Sequence, residues 1–212
     1  MFPNIKFKDC EIHLVKRLRN DLLSLEDSIL GYSPKNFSKS KLGRIRIRLF
    51  KFPKNEVCNE FFLIYGNKRY VCLNSTLLKK RYYTALQHVL HGITHHFSQF
   101  REEIGTEVFC EFVSYSLLKS LLEKKSKFFE RRIIKSVMKN SPKEYNMYYR
   151  IGRKLEEKEE GFLVKVNRMV KNRKISQKKE RRLFKRLLKG KVDSPNFEIK
   201  EIPELEIGFR RV

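Results

Sequence analysis

The stretch "QHVLHGITHHF", residues 87 to 97, carries His88, His91, His95 and His96, four of the five histidines in a chain of 212 residues. Imidazoles gathered in this way can hold a metal ion or move protons. On a helix His91 and His95 are i and i+4, so both rings leave one face about 5.4 Å apart along the axis. That spacing lets two neutral imidazoles reach one zinc ion at about 2.0–2.1 Å. His88 lies on the same stripe but roughly 10 Å from His95, too far to share the ion on a straight helix. His96 points elsewhere.

Two imidazoles need a third ligand. Downstream lies "GTEVFCEFVSY", in which Glu107 and Glu111 are again i and i+4. A turn at Gly105 would fold this second helix onto the first, and either carboxylate could then close a tetrahedral site with water in the fourth position. Surface polarity or core hydrogen bonding is the competing explanation for a helical histidine pair, and it leaves the cluster incidental.

The positioning elements follow from periodicity. Ile12, Val15, Leu18, Leu22, Leu25 and Ile29 recur at helical spacing and predict an amphipathic helix over residues 9 to 30, ended by Gly31 and Pro34. "RIRIRLFKF" alternates strictly and predicts a half-buried strand, broken by Pro53. "EFFLIYGNKRYVCLN" predicts two strands around a turn at Gly66-Asn67. Asn74, Ser75 and Thr76 are cap candidates for a histidine-bearing helix running to about Gln99. Gly105 breaks the pattern, and Thr106 can cap the next helix. The expected class is α+β: helix, small three-stranded sheet, histidine helix, second helix, over residues 1–123. A basic helical extension over residues 124–191 packs on this domain, interrupted at Ser141-Pro142 and near Asn172. An extended tail covers residues 192–212.

Composition narrows the function classes. There are 48 Lys+Arg against 24 Asp+Glu, a net charge of +24 and a pI near 10.0. Such a field favours polyanions. Part of the lysine excess is compositional, since Ala85 is the only alanine and Trp is absent. Cys10, Cys58, Cys72 and Cys110 contain no CxxC pair, and no secretory signal precedes them. They are expected to be buried thiols in a reducing cytoplasm, not a disulfide framework or zinc ribbon. No apolar run approaches the roughly 20 residues of a membrane span.

"VLHGITHHF" followed by "EVFCEFVSYSLL" resembles the active-site region of zincin metallopeptidases, the gluzincin branch in particular. Their signature is HExxH on one helix and a glutamate on the next, often in an "EGxAExV" context. The resemblance places the motif histidines on His91 and His95, the trailing hydrophobe on Phe97 and the downstream glutamate on Glu107. Cys110 takes the small-residue place and Glu111 the second carboxylate. It covers residues 9 to 123 as architecture and residues 86 to 118 as motif. It implies a zinc cofactor and a minimal zincin-like domain. Gly92 departs from the pattern, because the family has there the glutamate that takes a proton from the zinc-bound water. The gap from His95 to Glu107 is also shorter than in many gluzincins, which keeps Glu111 and Glu103 open as third ligands.

Three functions are therefore expected to compete. The first is a catalytically impaired zincin-like metal-binding protein with a protein or peptide partner. The second is an active zinc peptidase whose base is displaced to Glu102, Glu103 or Glu111. The third is a basic nucleic-acid-binding protein with incidental histidines, acting through "FFERRIIKSVMKN" and "RKISQKKERRLFKRLLKGK", where apolar stripes alternate with cationic faces. The latter helices also suit an anionic membrane surface or a solvated cap. Tyr148 or Tyr149, in "EYNMYYRIGRKLEE", could reach a metal-centred site.

Overall fold

The first helical stretch buries the predicted stripe from Leu18 to Ile29 but leaves Ile12 exposed, and it forms two helices. In the computed structural model, which describes residues 9–50, 60–65, 68–123 and 126–188, α1 covers Asp9–Ser24 and α2 covers Glu26–Tyr32. The break is at Leu25, whose backbone turns through a tighter Leu25 N to Leu22 O bond of 3.2 Å. Leu18, Leu22, Leu25 and Ile29 all face the core, so the kink bends the apolar stripe without interrupting it. Gly31 lies inside α2, and Ser33-Pro34 end it. The polar loop that follows contains a single helical turn, α3, Lys39–Leu42, which buries Leu42.

The sheet has three strands, β1 Ile45–Phe50, β2 Glu60–Tyr65 and β3 Lys68–Asn74. Their order is β1-β3-β2, with β3 parallel to β1 and antiparallel to β2. Val71 is the centre of the sheet, paired with Ile47 on one side and Phe62 on the other. Ile45 and Ile47 are buried while Arg46 and Arg48 are half-buried, as the Arg/Ile alternation requires. Pro53, the Gly66-Asn67 turn and the tail from residue 192 lie outside the described residues.

Asn74 closes β3 and caps the next helix, its Oδ1 accepting from Thr76 N at 2.9 Å. The expected single helix to Gln99 is again divided, into α4, Ser75–Lys80, and α5, Tyr82–His95, at a non-helical Arg81. Every residue from Thr84 to Thr94 is buried, because α5 is wedged between the sheet and α6. This helix α6 runs from Glu103 to Glu123. Gly105 is therefore inside it, and Thr106 is not its cap. The glycine serves packing instead: a Cβ there would lie 2.8 Å from the Phe184 ring and 3.0 Å from Phe100.

Apolar residues on all sides of α6 are buried, the mark of a central helix. Around it pack α7, Lys127–Asn140, α8, Lys143–Lys158, and α10, Gln177–Leu188, while α9, Phe162–Lys171, packs on α8. The interruptions at Ser141-Pro142 and Asn172 fall as predicted, and a further one at Glu159–Gly161 uses a left-handed Gly161. The α6–α8 contact is the most extensive between two helices, and Gly152 makes it possible. A Cβ on Gly152 would sit 2.7 Å from that of Phe112. The class is thus α+β and mostly helical, with one buried core from Leu18 to Phe184. Cys72 and Cys110 are buried and form no disulfide. No helix among the described residues is long and apolar enough to cross a membrane.

Candidate metal centre

The fold brings His91, His95 and Glu107 together, with their ligand atoms all within 4.8 Å of one another. His91 Nε2 and His95 Nε2 are 2.8 Å apart. The Glu107 carboxylate straddles them, Oε2 at 3.4 Å from His91 Nε2 and Oε1 at 3.3 Å from His95 Nε2. Ligands about 2.0–2.1 Å from a tetrahedral ion stand about 3.3–3.4 Å apart. The carboxylate–imidazole distances lie near that value, each to a different oxygen, while the imidazole pair at 2.8 Å stands at hydrogen-bond distance. Two neutral nitrogens and one carboxylate are a donor set that zinc accepts.

The same three groups are coupled electrostatically. Burial alone would raise the Glu107 pKa, but hydrogen bonds and charge from His91 and His95 outweigh it and hold the group at about 2. Glu107 is therefore ionised across the physiological range, as a metal ligand must be.

Glu111 occupies a different place from Glu107. It is fully buried, and its Oε1 lies 2.8 Å from His91 Nδ1. Its Oε2 accepts from Gln87 Nε2 at 3.1 Å, and the same amide donates to Ser114 Oγ at 3.0 Å. A carboxylate behind a histidine fixes Nδ1–H as the protonated nitrogen and leaves the Nε2 lone pair for a metal. The i/i+4 pair Glu107 and Glu111 thus divides its work: one carboxylate faces the cluster and the other holds a ring from behind.

Aromatic rings wall the cluster. Tyr145 stacks on His91 with centroids 5.5 Å apart, and Phe62 on β2 stacks on His95 at 4.2 Å. Of the tyrosines expected near the metal, Tyr149 instead packs on Tyr115 at 4.5 Å. Tyr148 is buried, and burial followed by the negative charges of Glu107, Glu103 and Glu144 raises its pKa. Tyr145 belongs to the segment expected to pack against the core, whereas Phe62, Gln87 and Ser114 are not among the expected site residues. Only Gln87 had a signal, one helical turn before His91.

The other histidines stay outside the cluster. His88 is buried on α5. His96 latches the end of α5 to β3: its Nε2 donates to Tyr70 O at 3.2 Å, and Arg69 donates to the His96 carbonyl. Burial lowers the His96 pKa to about 4, the bond to Tyr70 opposes this, and the charges of Arg69 and His95 add to the lowering.

Gly92 faces the sheet. A Cβ at this position would meet Val71 Cγ1 at 2.8 Å, Cγ2 at 3.2 Å and Cβ at 3.5 Å. The glycine is what lets α5 lie this close to β3. A side chain at position 92 would leave the helix toward Val71.

The α6 N-terminus, one turn before Glu107, is held from a distance. The fully buried Glu180 of α10 accepts from Arg101 N at 2.9 Å and Glu102 N at 3.0 Å through one oxygen. They are the backbone donors of the two residues that lead into α6 at Glu103. Burial raises the Glu180 pKa, the two backbone bonds oppose this, Glu102 adds to the rise and Arg101 lowers it. Arg181 beside it pairs with Glu102 at 2.9 Å, so Glu102 is directed away from the metal cluster, and Glu103 is exposed.

No family model, curated protein or solved structure matches this chain. The functional reading therefore rests on the site itself.

Proposed function

We propose that this protein is a zinc-binding, zincin-like module that lacks the catalytic base of a metallopeptidase. His91, His95 and Glu107 are its ligands, and Glu111 orients His91. The observation that carries the proposal is the approach of the Glu107 carboxylate to both Nε2 atoms at 3.3–3.4 Å, with a carboxylate on His91 Nδ1 behind.

A zinc ion there would supply Lewis acidity. The chain's own residues hold the ion, fix the tautomer of His91 and wall the rings with Tyr145 and Phe62. They do not supply the proton transfer of the zincin pattern, because position 92 is glycine and faces Val71. General acid–base help of that kind is worth about 10²–10⁴-fold in rate. Of the candidate displaced bases, Glu111 stands behind His91, Glu102 pairs with Arg181, and Glu103 is exposed at the first position of α6. A binding role is favoured over hydrolysis for these reasons.

Zinc content of the purified full chain tests the proposal, with X-ray absorption to identify the ligands. One tightly held zinc per chain, with two nitrogen and one carboxylate ligands, is expected. His91→Ala and His95→Ala should each abolish stoichiometric uptake. Zinc uptake that is absent, or untouched by both substitutions, refutes it.

A further inference from the structure

The metal cluster leaves most of the molecule's positive charge unexplained. On another part of the surface, α6, α7 and α8 enclose a groove of about 650 Å³. Its walls carry Lys119 from α6, Arg131, Lys135 and Lys139 from α7, and Arg150 from α8. Ile134 and Met138 line it as apolar surface, and Glu130 is its one acidic residue. Among the described residues none of the five cations is in an ion pair. Five cations around one carboxylate, none of them ion-paired among the described residues, form a site for a ligand bearing several negative charges.

The arrangement along α7 says more about that ligand. Arg131, Lys135 and Lys139 are spaced i, i+4, i+8, a row about 12 Å long with a cation every four residues, about 6 Å apart along the axis. Phe128 stands on the same stripe and is 78% exposed, the most exposed large apolar residue among those described. An aromatic ring in water beside an evenly spaced cationic row combines a stacking platform with phosphate contacts.

We propose that this groove binds an extended single strand of nucleic acid, its phosphates on Arg131, Lys135 and Lys139 and a base on Phe128. A membrane surface fits less well. Ile134 and Val137 of α7 are buried and Met138 is only partly exposed, so among the described residues of α7 Phe128 is the one large apolar side chain that stands mostly in water. A duplex also fits less well, because its stacked bases offer no free face to Phe128.

Fluorescence anisotropy with the full chain tests this, using a labelled 20-nucleotide polythymidylate strand over a salt series. Arg131→Gln/Lys135→Gln/Lys139→Gln should weaken binding by at least about 10-fold and reduce the salt slope by about 2. Phe128→Ala should weaken it about 5- to 100-fold with the slope unchanged. Removing three exposed lysines elsewhere, in Lys174→Gln/Lys178→Gln/Lys179→Gln, should have much the smaller effect. Far-UV circular dichroism melts confirm that each variant is folded. The proposal is overturned if the control loses as much as the groove variant, or if Phe128→Ala binds normally. Tighter binding to the matching duplex, to polyglutamate or to phosphatidylserine vesicles than to the single strand also overturns it.

Discussion

Gly92→Ala should destabilise the protein even though alanine is the better helix former. The intrinsic gain from replacing a mid-helix glycine is up to about 1 kcal/mol. Against it stands the added Cβ, 2.8 Å from Val71 Cγ1, with Val71 Cγ2 and Cβ at 3.2 and 3.5 Å. Rotating the Val71 side chain exchanges one methyl for the other and relieves little. Its backbone cannot retreat, because Val71 is paired with Ile47 and Phe62 on the central strand. Overpacking of this kind costs about 1–3 kcal/mol, so the net loss is about 0–2 kcal/mol. Removing the two methyls should reverse the sign. In a Val71→Ala background, Gly92→Ala should stabilise by about 1 kcal/mol. Urea unfolding of the four proteins gives a coupling energy, expected at about 1–3 kcal/mol. Additive effects, or stabilisation by Gly92→Ala alone, would refute the close approach of α5 to β3. Gly92→Glu extends the same reasoning. It should cost at least about 3 kcal/mol, since it places a carboxylate against an apolar strand, and it should create no peptide hydrolysis.

Glu111→Gln leaves the Glu107 side of the cluster intact but weakens the support of His91 Nδ1, and zinc affinity by competition with a chromogenic chelator should fall about 10- to 100-fold. His96 gives a pH signature to the metal-free protein. Its pKa is about 4 when folded and about 6.5 when unfolded, so below pH 6.5 the unfolded chain takes up the proton first and stability falls as pH drops toward 4. Between pH 7.5 and 4.5 this amounts to about 2–3 kcal/mol, read as the difference in urea-unfolding free energy that His96→Gln should lack. Glu180→Ala strips the cap from α6 and should cost about 1–3 kcal/mol in the same measurement. It should also loosen zinc, and Glu180→Gln, which keeps a carbonyl acceptor, should recover part of both losses.

The core of this architecture was readable because its periodicities are strong. The Arg/Ile alternation of β1, the stripe from Leu18 to Ile29 and the i/i+4 pairs of His and Glu each have a geometric meaning independent of the rest of the chain. The helix interruptions at Leu25 and Arg81 were not readable, since neither residue is a breaker and both bends answer to packing. Gly105 misled for the complementary reason. A glycine at the head of a helix looks like a stop, whereas here it makes room for Phe184, almost eighty residues away in sequence. The division of labour between Glu107 and Glu111 needed the path of α6 over α5. Spacing alone puts both carboxylates on one face. Tyr145 and Phe62 reach the histidines from separate elements, with no local pattern to connect them. In each case the missing information was a long-range contact.

The Glu180 cap has a consequence for how the proposed metal site is assembled. The carboxylate that satisfies the start of α6 is 79 residues beyond Arg101. At ribosomal rates of 5–20 residues per second it emerges roughly 4–16 s later. From the synthesis of Glu107, six residues into that interval, all three ligands are present while the helix bearing Glu107 still lacks its clamp. Ions met by the nascent chain therefore encounter a looser and less selective set of ligands than the finished protein offers. Accurate loading of the proposed site would belong to the moment when α10 docks, and a chain stalled before that point would be the one to capture the wrong ion.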